Sequence, residues 1–209
     1  MFLLFAALLW SATPIAEVID FSRISAYANQ RYGAAVVRKL DTWNTMLVQA
    51  GKLNEQEKLR AVNNFWNQTL VGGEDINIWG QVDYWATPLQ SLAKGKGDCE
   101  DYVIGKYFSL LQLGVSADKL RFVYVKAQVG RQSIAHMVLG YYPTPQSEPL
   151  VLDSLTDRIG LARTRPDLAP VFSFNAQGVY VPGGKPTSVD RIGRWQDLLA
   201  RMQAEGFQP

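Results

Sequence analysis

The chain has 209 residues, of which 47% are hydrophobic, and its 21 basic and 19 acidic residues give a formal net charge of +2. This composition excludes an intrinsically disordered chain and suffices to bury the core of one domain. The balanced charge, with no block of like charge, argues against a nucleic-acid partner. A single cysteine excludes an internal disulfide, so the core alone must hold the fold.

The chain begins with an apolar run, Phe2–Trp10, that is too short to span a bilayer. The run has the length of the hydrophobic part of an export signal and is followed by small residues, although the usual basic start is missing. We therefore predict an atypical signal segment at 1–16, export, and no stable membrane insertion. The rest, 17–209, is predicted to form one domain, with a helical part at 20–72 and a catalytic core at 73–209.

Apolar residues at helical spacing predict helices in the first third of the chain. Residues 22–50 are expected to form one or two helices, interrupted near Gly33. A further helix follows residues 54–57, whose Asn-Glu-Gln-Glu sequence resembles a capping box. Residues 72–97 contain several glycines and a proline, which predicts a long loop across the surface.

The cysteine lies near the start of the next predicted helix, which runs from Cys99 to Leu113 with Asp98 at the N-cap position. After this helix the periodicity becomes that of strands. Short connections between three strands predict an antiparallel meander at 120–127, 134–141 and 150–153. Two shorter strands and a closing helix are predicted at 171–174, 179–181 and 190–205. The fold class is therefore α+β, with N-terminal helices and a cysteine-bearing helix packed on an antiparallel sheet.

The only cysteine and the only histidine lie at positions that suit a nucleophile and its base. His136 follows Cys99 by 37 residues, and Asp153 follows by another 17. A thiol is reactive as the thiolate, which an imidazole oriented by a carboxylate forms near neutral pH. His136 shares a strand face with Ile134 and Val138, which we expect the sheet to turn toward the helix. The pattern predicts Cys99 as nucleophile, His136 as base and Asp153 as the residue that orients the base.

Each of the three residues also has a purely structural interpretation. A lone cysteine is commonly a small buried hydrophobe, a lone histidine in a strand is commonly a core residue, and an aspartate before serine favours a turn. The acidic residues that flank Cys99 are unusual next to a buried core cysteine. Taken together, at a helix start and on two adjacent strands, the three residues favour catalysis.

Acidic residues around Cys99 oppose the formation of a thiolate. At a separation of about 6 Å and an effective dielectric constant of about 20, each like charge costs about 3 kcal/mol. A divalent cation bound by Asp98 and Glu100 would neutralise them, and oxygen ligands favour calcium over softer metals. Alternatively, Asp98 caps the helix while Glu100 and Asp101 occupy its first turn. Both interpretations remain open at this level.

An oxyanion hole is needed as well, and the backbone N–H of Cys99 at a helix start is a natural donor. A second donor could come from the preceding segment, where Trp79, Gln81 and Trp85 are candidates. Packing roles explain these three side chains equally well.

Four segments carry a recognisable family pattern. They are 85–92 (Trp-Ala-Thr-Pro-Leu-Gln-Ser-Leu), 95–102 (Gly-Lys-Gly-Asp-Cys-Glu-Asp-Tyr), 136–139 (His-Met-Val-Leu) and 149–153 (Pro-Leu-Val-Leu-Asp). The chain thereby resembles the bacterial transglutaminase-like cysteine proteinases from about residue 79 to residue 175. The resemblance implies a papain/transglutaminase-like fold, Cys99 as nucleophile, His136 as base and then acid, Asp153 as orienter, and calcium bound through Asp98 and Glu100.

The resemblance also implies a biological role. The adhesin-releasing members of this family are periplasmic, calcium-dependent endopeptidases that cut the N-terminal region of a large repeat adhesin at an alanine-rich site. The cut detaches the adhesin and disperses the biofilm. An inner-membrane receptor for cyclic di-GMP sequesters the protease. Two alternatives remain: transglutaminase-type acyl transfer to a lysine by the same triad, and a non-catalytic, calcium-responsive binding module. The intact cysteine, histidine and aspartate argue against the second.

Overall fold

The structure of the protein is a computed structural model that describes residues 19–181, 183–185, 187–189 and 192–209, and this part of the chain contains seven α-helices and eight β-strands. The helices are α1 (Phe21–Tyr32), α2 (Ala34–Ala50), α3 (Glu55–Thr69), α4 (Asp75–Ile78), α5 (Pro88–Lys94), α6 (Cys99–Gln112) and α7 (Gly193–Glu205). The strands are β1 (Val71–Gly72), β2 (Lys96–Gly97), β3 (Leu120–Val129), β4 (Gln132–Tyr141), β5 (Leu150–Leu152), β6 (Gly160–Leu161), β7 (Leu168–Asn175) and β8 (Gly178–Tyr180). The predicted signal segment lies outside the described residues, and the division into domains stays a prediction.

The predicted break in the N-terminal helical region is confirmed. α1 ends and α2 begins at Gly33, whose φ of 84° lies in the region that favours glycine. The predicted capping box forms at the start of α3, where the backbone N–H of Glu57 donates to Asn54 Oδ1 at 3.0 Å and the backbone N–H of Asn54 donates to Glu57 Oε2 at 3.1 Å. Local sequence signals therefore set the bounds of these helices.

Residues 72–97 are more ordered than the predicted surface loop. They contain α4, α5 and β2, and β2 pairs in parallel with β1. α5 begins with a capping box between Thr87 and Gln90, with Pro88 in its first turn. Trp85 is buried in the core. The loop prediction was wrong because helices of 4 and 7 residues are too short to show helical periodicity.

The six-stranded sheet is antiparallel throughout, with strand order β6-β5-β4-β3-β7-β8. Its centre is the predicted meander. β3 pairs with β4 from Leu120↔Tyr141 to Val129↔Gln132, whereas β4 pairs with β5 only at its last three residues. β7 then returns to the other side of β3. The predicted α+β class is confirmed.

α6 runs through the middle of the molecule, with residues 100–110 all buried between α3 and the sheet. The hydroxyl of Ser109 accepts the ring N–H groups of Trp43 and Trp66, each at 2.9 Å, and donates to the carbonyl of Gly105 at 2.7 Å. A Cβ atom at Gly105 would lie 2.5 Å from the Trp66 ring, so α3 approaches α6 too closely for a larger residue. The core therefore fixes the helix in place.

Glu205, at the end of α7, carries a carboxylate into the interior. Its side chain is 3% exposed, and Oε2 has no hydrogen-bond partner in the described chain. Burial, only partly opposed by Thr87 and Arg201, raises its pKa to about 7. Because the folded pKa exceeds the unfolded one, the contribution of this group to stability is complete below about pH 4.5 and is lost as the pH rises through about 7.

Glu205→Gln is therefore expected to raise the melting temperature at about pH 8 by about 5–10 °C, because the ionised carboxylate of Glu205 lowers the free energy of unfolding by about 3 kcal/mol. Near pH 4.5 the variant and the parent should melt together. Thermal unfolding at the two pH values checks this. Asp197→Asn, at an exposed position of the same helix, is the matched control. An equal shift at both pH values would contradict the expectation.

Candidate active site

The start of α6 and the first half of β4 meet at a cavity of 530 Å³. Cys99 and His136 both line this cavity, as do the carboxylates of Asp98 and Glu100. The N-terminus of α6 provides the sulfur, while β4 provides the imidazole. The structure thus brings together the two residue types that the sequence analysis singled out.

His136 and Asp153 form a buried pair. Their side chains are 4% and 0% exposed, and His136 Nε2 lies 2.7 Å from Asp153 Oδ1. The same carboxylate oxygen accepts the backbone N–H of Leu155 at 3.0 Å, and Oδ2 accepts from Arg165 at 2.7 Å. Burial would raise the pKa of Asp153, but the hydrogen bonds from His136, Leu155 and Arg165 outweigh it and lower the pKa to about 2.

The ionised state of Asp153 determines the tautomer of His136. An ionised carboxylate only accepts hydrogen bonds, so the proton between the two residues lies on Nε2. Nδ1 of the neutral ring is then unprotonated and available as a base. This is the arrangement that the predicted roles of His136 and Asp153 require.

His136 reaches the cavity in a way the sequence did not predict. His136 lies opposite Val125 on β3, and Val125 and Val138 belong to a second hydrophobic cluster. On the other face of β4, Met137 and Leu139 pack in the main core with α6. The expectation that the face of Val138 turns toward the cysteine helix was therefore wrong. Because β5 pairs with β4 only from Leu139 onward, the edge of β4 beside His136 is left open to the cavity.

Cys99 is partly exposed at the start of α6, and its thiol donates to Glu100 Oε2 at 3.2 Å. Burial raises the pKa of the thiol, and the charges of Glu100 and Asp98 raise it further. The backbone N–H of Met137 faces the sulfur and acts in the opposite direction. These surroundings favour the neutral thiol over the thiolate.

Three carboxylates meet beside the thiol. One oxygen each from Asp75, Asp98 and Glu100 lies within 4.8 Å of the others. Asp98 occupies the predicted N-cap position, but its side chain makes no capping hydrogen bond. Oδ1 of Asp98 and Oδ1 of Asp75 are buried without a hydrogen-bond partner in the described chain. The capping interpretation of Asp98 is therefore wrong, and the cluster offers oxygen ligands that suit a hard cation.

The charges of this cluster act on one another. Burial, and then the charges of Glu100 and Asp101, raise the pKa of Asp98 above its usual range. Burial raises the pKa of Asp75 to about 6, although the backbone N–H of Tyr84 donates to its carboxylate. A cation among these oxygens would remove the repulsion.

Sequence reasoning missed Asp75 because it lies 23 residues before Asp98, in the segment predicted as a loop. The parallel pairing of β1 with β2 brings Gly72 beside Gly97 and thereby places α4 next to the start of α6. The acidic pair Glu74-Asp75 was the only local signal. Asp101 is not part of this cluster: its side chain is fully buried, and its Oδ1 accepts the backbone N–H of Ala86 at 2.8 Å.

The three candidate oxyanion donors have other positions. Gln81 and Trp85 line a separate cavity beside α7, and Trp79 packs against Tyr84 with ring centroids 4.9 Å apart. None of the three is among the described residues that line the cavity of Cys99. The backbone N–H of Cys99, in the first turn of α6, remains available as a donor.

Comparison with known proteins decides the family. The model of the bacterial transglutaminase-like cysteine proteinases, BTLCP, matches residues 36–166. The chain belongs to this family. It is therefore a cysteine protease with a transglutaminase-like fold.

Solved structures of LapG from Legionella pneumophila are similar over nearly the whole chain. The EGTA-treated form is 38% identical, with a TM-score of 0.78, and the match covers 90% of this chain and 100% of that one. The calcium-bound form is 40% identical, with a TM-score of 0.76, and the match covers 88% and 99%. A third LapG structure, 39% identical, gives the same TM-score as the first, 0.78, with coverage of 91% and 100%. Curated proteins gave no match.

Within the described residues, no helix combines the length and apolar character that a bilayer span requires.

Proposed function

We propose that this cysteine protease is a calcium-dependent periplasmic endopeptidase that cuts the N-terminal region of a large surface adhesin, releases the adhesin and promotes biofilm dispersal. Cys99 is the nucleophile, His136 the general base and then acid, and Asp153 the residue that orients His136. One observation carries the proposal: His136, buried and 2.7 Å from Asp153, lines the same cavity as the only cysteine of the chain.

We assign each residue a step in the reaction. His136 Nδ1 accepts the thiol proton as Cys99 Sγ attacks the carbonyl carbon of the scissile bond, while Asp153 stabilises the imidazolium through Nε2. The N–H of Cys99 donates to the oxyanion. The imidazolium then protonates the leaving amine, and a thioester remains on Cys99. His136 next takes a proton from water as the water oxygen attacks the thioester carbonyl carbon. The C–S bond then breaks, the imidazolium returns the proton to the departing sulfur, and the carboxylic acid product and the Cys99 thiol are released.

Asp75, Asp98 and Glu100 are the residues that would hold calcium. Their oxygens lie within 4.8 Å of one another, and two of these carboxylates have a buried oxygen without a hydrogen-bond partner in the described chain. Oxygen-only ligands suit calcium. Bound calcium would neutralise the carboxylates next to the sulfur and so favour its anionic form. The calcium-bound structure of LapG supports calcium as the cation.

The adhesin substrate, the periplasmic location and the cyclic di-GMP receptor are proposed from the family resemblance and from the similarity to LapG. The receptor is expected to sequester the protease at the inner membrane. Nucleic acid is not an expected partner, because the net charge is only +2.

Incubation of the purified protein and calcium with an alanine-rich fragment from the N-terminal region of an adhesin tests the proposal. We expect cleavage at one site, detected by mass spectrometry, and no reaction in excess EGTA. A peptide whose lysine side chain can accept the acyl group is added to the same reaction as an internal comparison. Crosslinking to that peptide instead of cleavage would favour acyl transfer, and calcium binding without either product would favour a binding module.

A further inference from the structure

Arg165 lies directly behind the pair of His136 and Asp153. Its Nη2 donates to Asp153 Oδ2 at 2.7 Å, while His136 and the backbone N–H of Leu155 occupy Oδ1. Both oxygens of the buried carboxylate are therefore engaged, each from a different direction. The carboxylate has no freedom to rotate without breaking one of these bonds.

Arg165 is itself held by a second carboxylate, two residues further along the chain. Its Nε donates to Asp167 Oδ1 at 3.0 Å, and its Nη2 donates to Asp167 Oδ2 at 2.7 Å. The side chain of Arg165 is 15% exposed, against 37% for Asp167. The planar guanidinium thus bridges an outer carboxylate and a fully buried one, a geometry that a lysine ammonium reproduces only in part.

Arg165 makes these contacts from outside the substrate cavity. It lines a different groove of 570 Å³, together with Gln128, Gly130 and Asp167, and it is not among the described residues that line the cavity of Cys99. A peptide bound over Cys99 is therefore not expected to touch the guanidinium. We therefore expect the effect of Arg165 on the reaction to pass through Asp153.

We propose that Arg165 is a positioning residue that keeps Asp153 ionised and fixes the plane of its carboxylate, so that His136 holds its proton on Nε2 and presents Nδ1 to Cys99. This inference rests on the proposed roles of the three residues. Removing Arg165 takes a countercharge and the donor to Oδ2 from a carboxylate that is 0% exposed, while His136 and the backbone N–H of Leu155 stay on Oδ1. The carboxylate is then expected to take up a proton or to rotate, and either change disturbs the base.

Steady-state kinetics with the calcium-loaded protein test the proposal. Arg165→Met is expected to lower kcat by about tenfold to a hundredfold with KM unchanged, because the base is misplaced while the cavity is intact. Arg165→Lys keeps the charge and should recover part of the loss. Arg163→Met is the matched control, because Arg163 is two residues away, 69% exposed and paired with Glu148 instead.

A spectroscopic measurement separates this proposal from a failure of the proposed function. His136 is the only histidine, so every labelled histidine signal in a nitrogen NMR spectrum belongs to it. In the calcium-loaded Cys99→Ala protein in mildly alkaline buffer we expect the tautomer with the proton on Nε2, and Arg165→Met should replace it by a mixture of tautomers. If the parent protein cleaves nothing, this spectrum still decides the role of Arg165.

Three results would overturn the proposal. The first is an Arg165→Met variant with the parental kcat. The second is a rise in KM alone, which would place Arg165 in the substrate site. The third is a lower kcat with an unchanged histidine spectrum, since the effect would then bypass Asp153. If Arg165→Met fails to fold, judged by circular dichroism, the same measurements on Arg165→Lys decide.

Discussion

Replacing Cys99 by alanine is expected to abolish peptide cleavage, with a loss of at least about 10⁴-fold in kcat/KM. The sulfur is the only thiol of the chain, and no other side chain in the described part of the cavity could replace it as a nucleophile of equal strength. Initial rates on the alanine-rich adhesin fragment measure the loss. Because the side chain is small and partly exposed, the free energy of unfolding should change by less than about 1 kcal/mol.

His136→Ala is the companion variant. Residues that act as a unit in catalysis are not additive, so the double variant should be no less active than Cys99→Ala alone. Alkylation gives an independent check, because one equivalent of iodoacetamide can modify only Cys99 and should inactivate the protein in step with its incorporation. A variant without Cys99 that still cleaves the fragment would sink the assignment of the nucleophile.

Removing calcium is expected to cost activity, stability and thiol reactivity together. Without a cation, the carboxylates of Asp75, Asp98 and Glu100 repel one another, and those of Glu100 and Asp98 disfavour a thiolate at Cys99. We expect EGTA to lower kcat/KM by more than about a hundredfold and to slow alkylation of Cys99 by at least about tenfold, since each unit of thiol pKa changes the thiolate fraction about tenfold. Calcium at about 100 times its Kd should stabilise the fold by about 2.7 kcal/mol, or about 5–10 °C in melting temperature.

Variants of the cluster test the ligands one at a time. Asp75→Asn and Asp98→Asn should each weaken calcium binding, measured by calorimetry, and should shift the calcium dependence of the alkylation rate to higher concentration. Glu74→Gln is the matched control, because Glu74 lines the same cavity but lies outside the cluster. If calcium binds Asp75→Asn as tightly as the parent protein, Asp75 is not a ligand. If EGTA leaves the alkylation rate unchanged, the electrostatic role of calcium is refuted.

Local signals in the sequence predicted most of the elements. The break at Gly33, the capping box at Asn54, the start of α6 at Cys99 and the three central strands all depend on residues within a few positions of one another. The pair of His136 and Asp153 was predictable for a similar reason, because a meander places consecutive strands side by side.

What the sequence could not predict depends on contacts between distant segments. Asp75 joins the acidic cluster only because β1 pairs with β2, and these strands are too short to leave a pattern. Arg165 reaches Asp153 from beyond β6, after a short 3-10 helix at Ala162–Thr164 that has no sequence motif. The prediction for His136 used only the alternation of side chains along β4. Its access to the cavity depends instead on the short length of β5, which leaves the edge of β4 beside His136 unpaired.

Over 100–110, α6 has no side that faces water. A helix enclosed in this way unfolds only together with much of the surrounding core. The reactive sulfur of Cys99 therefore lies at the end of a rigid helix. We therefore expect a bound polypeptide to be accommodated by shifts in the rim of the cavity, at the glycines before α4 and in the turn after β5. Cys99 is expected to stay in place during the reaction, while the rim of the cavity adjusts to the substrate.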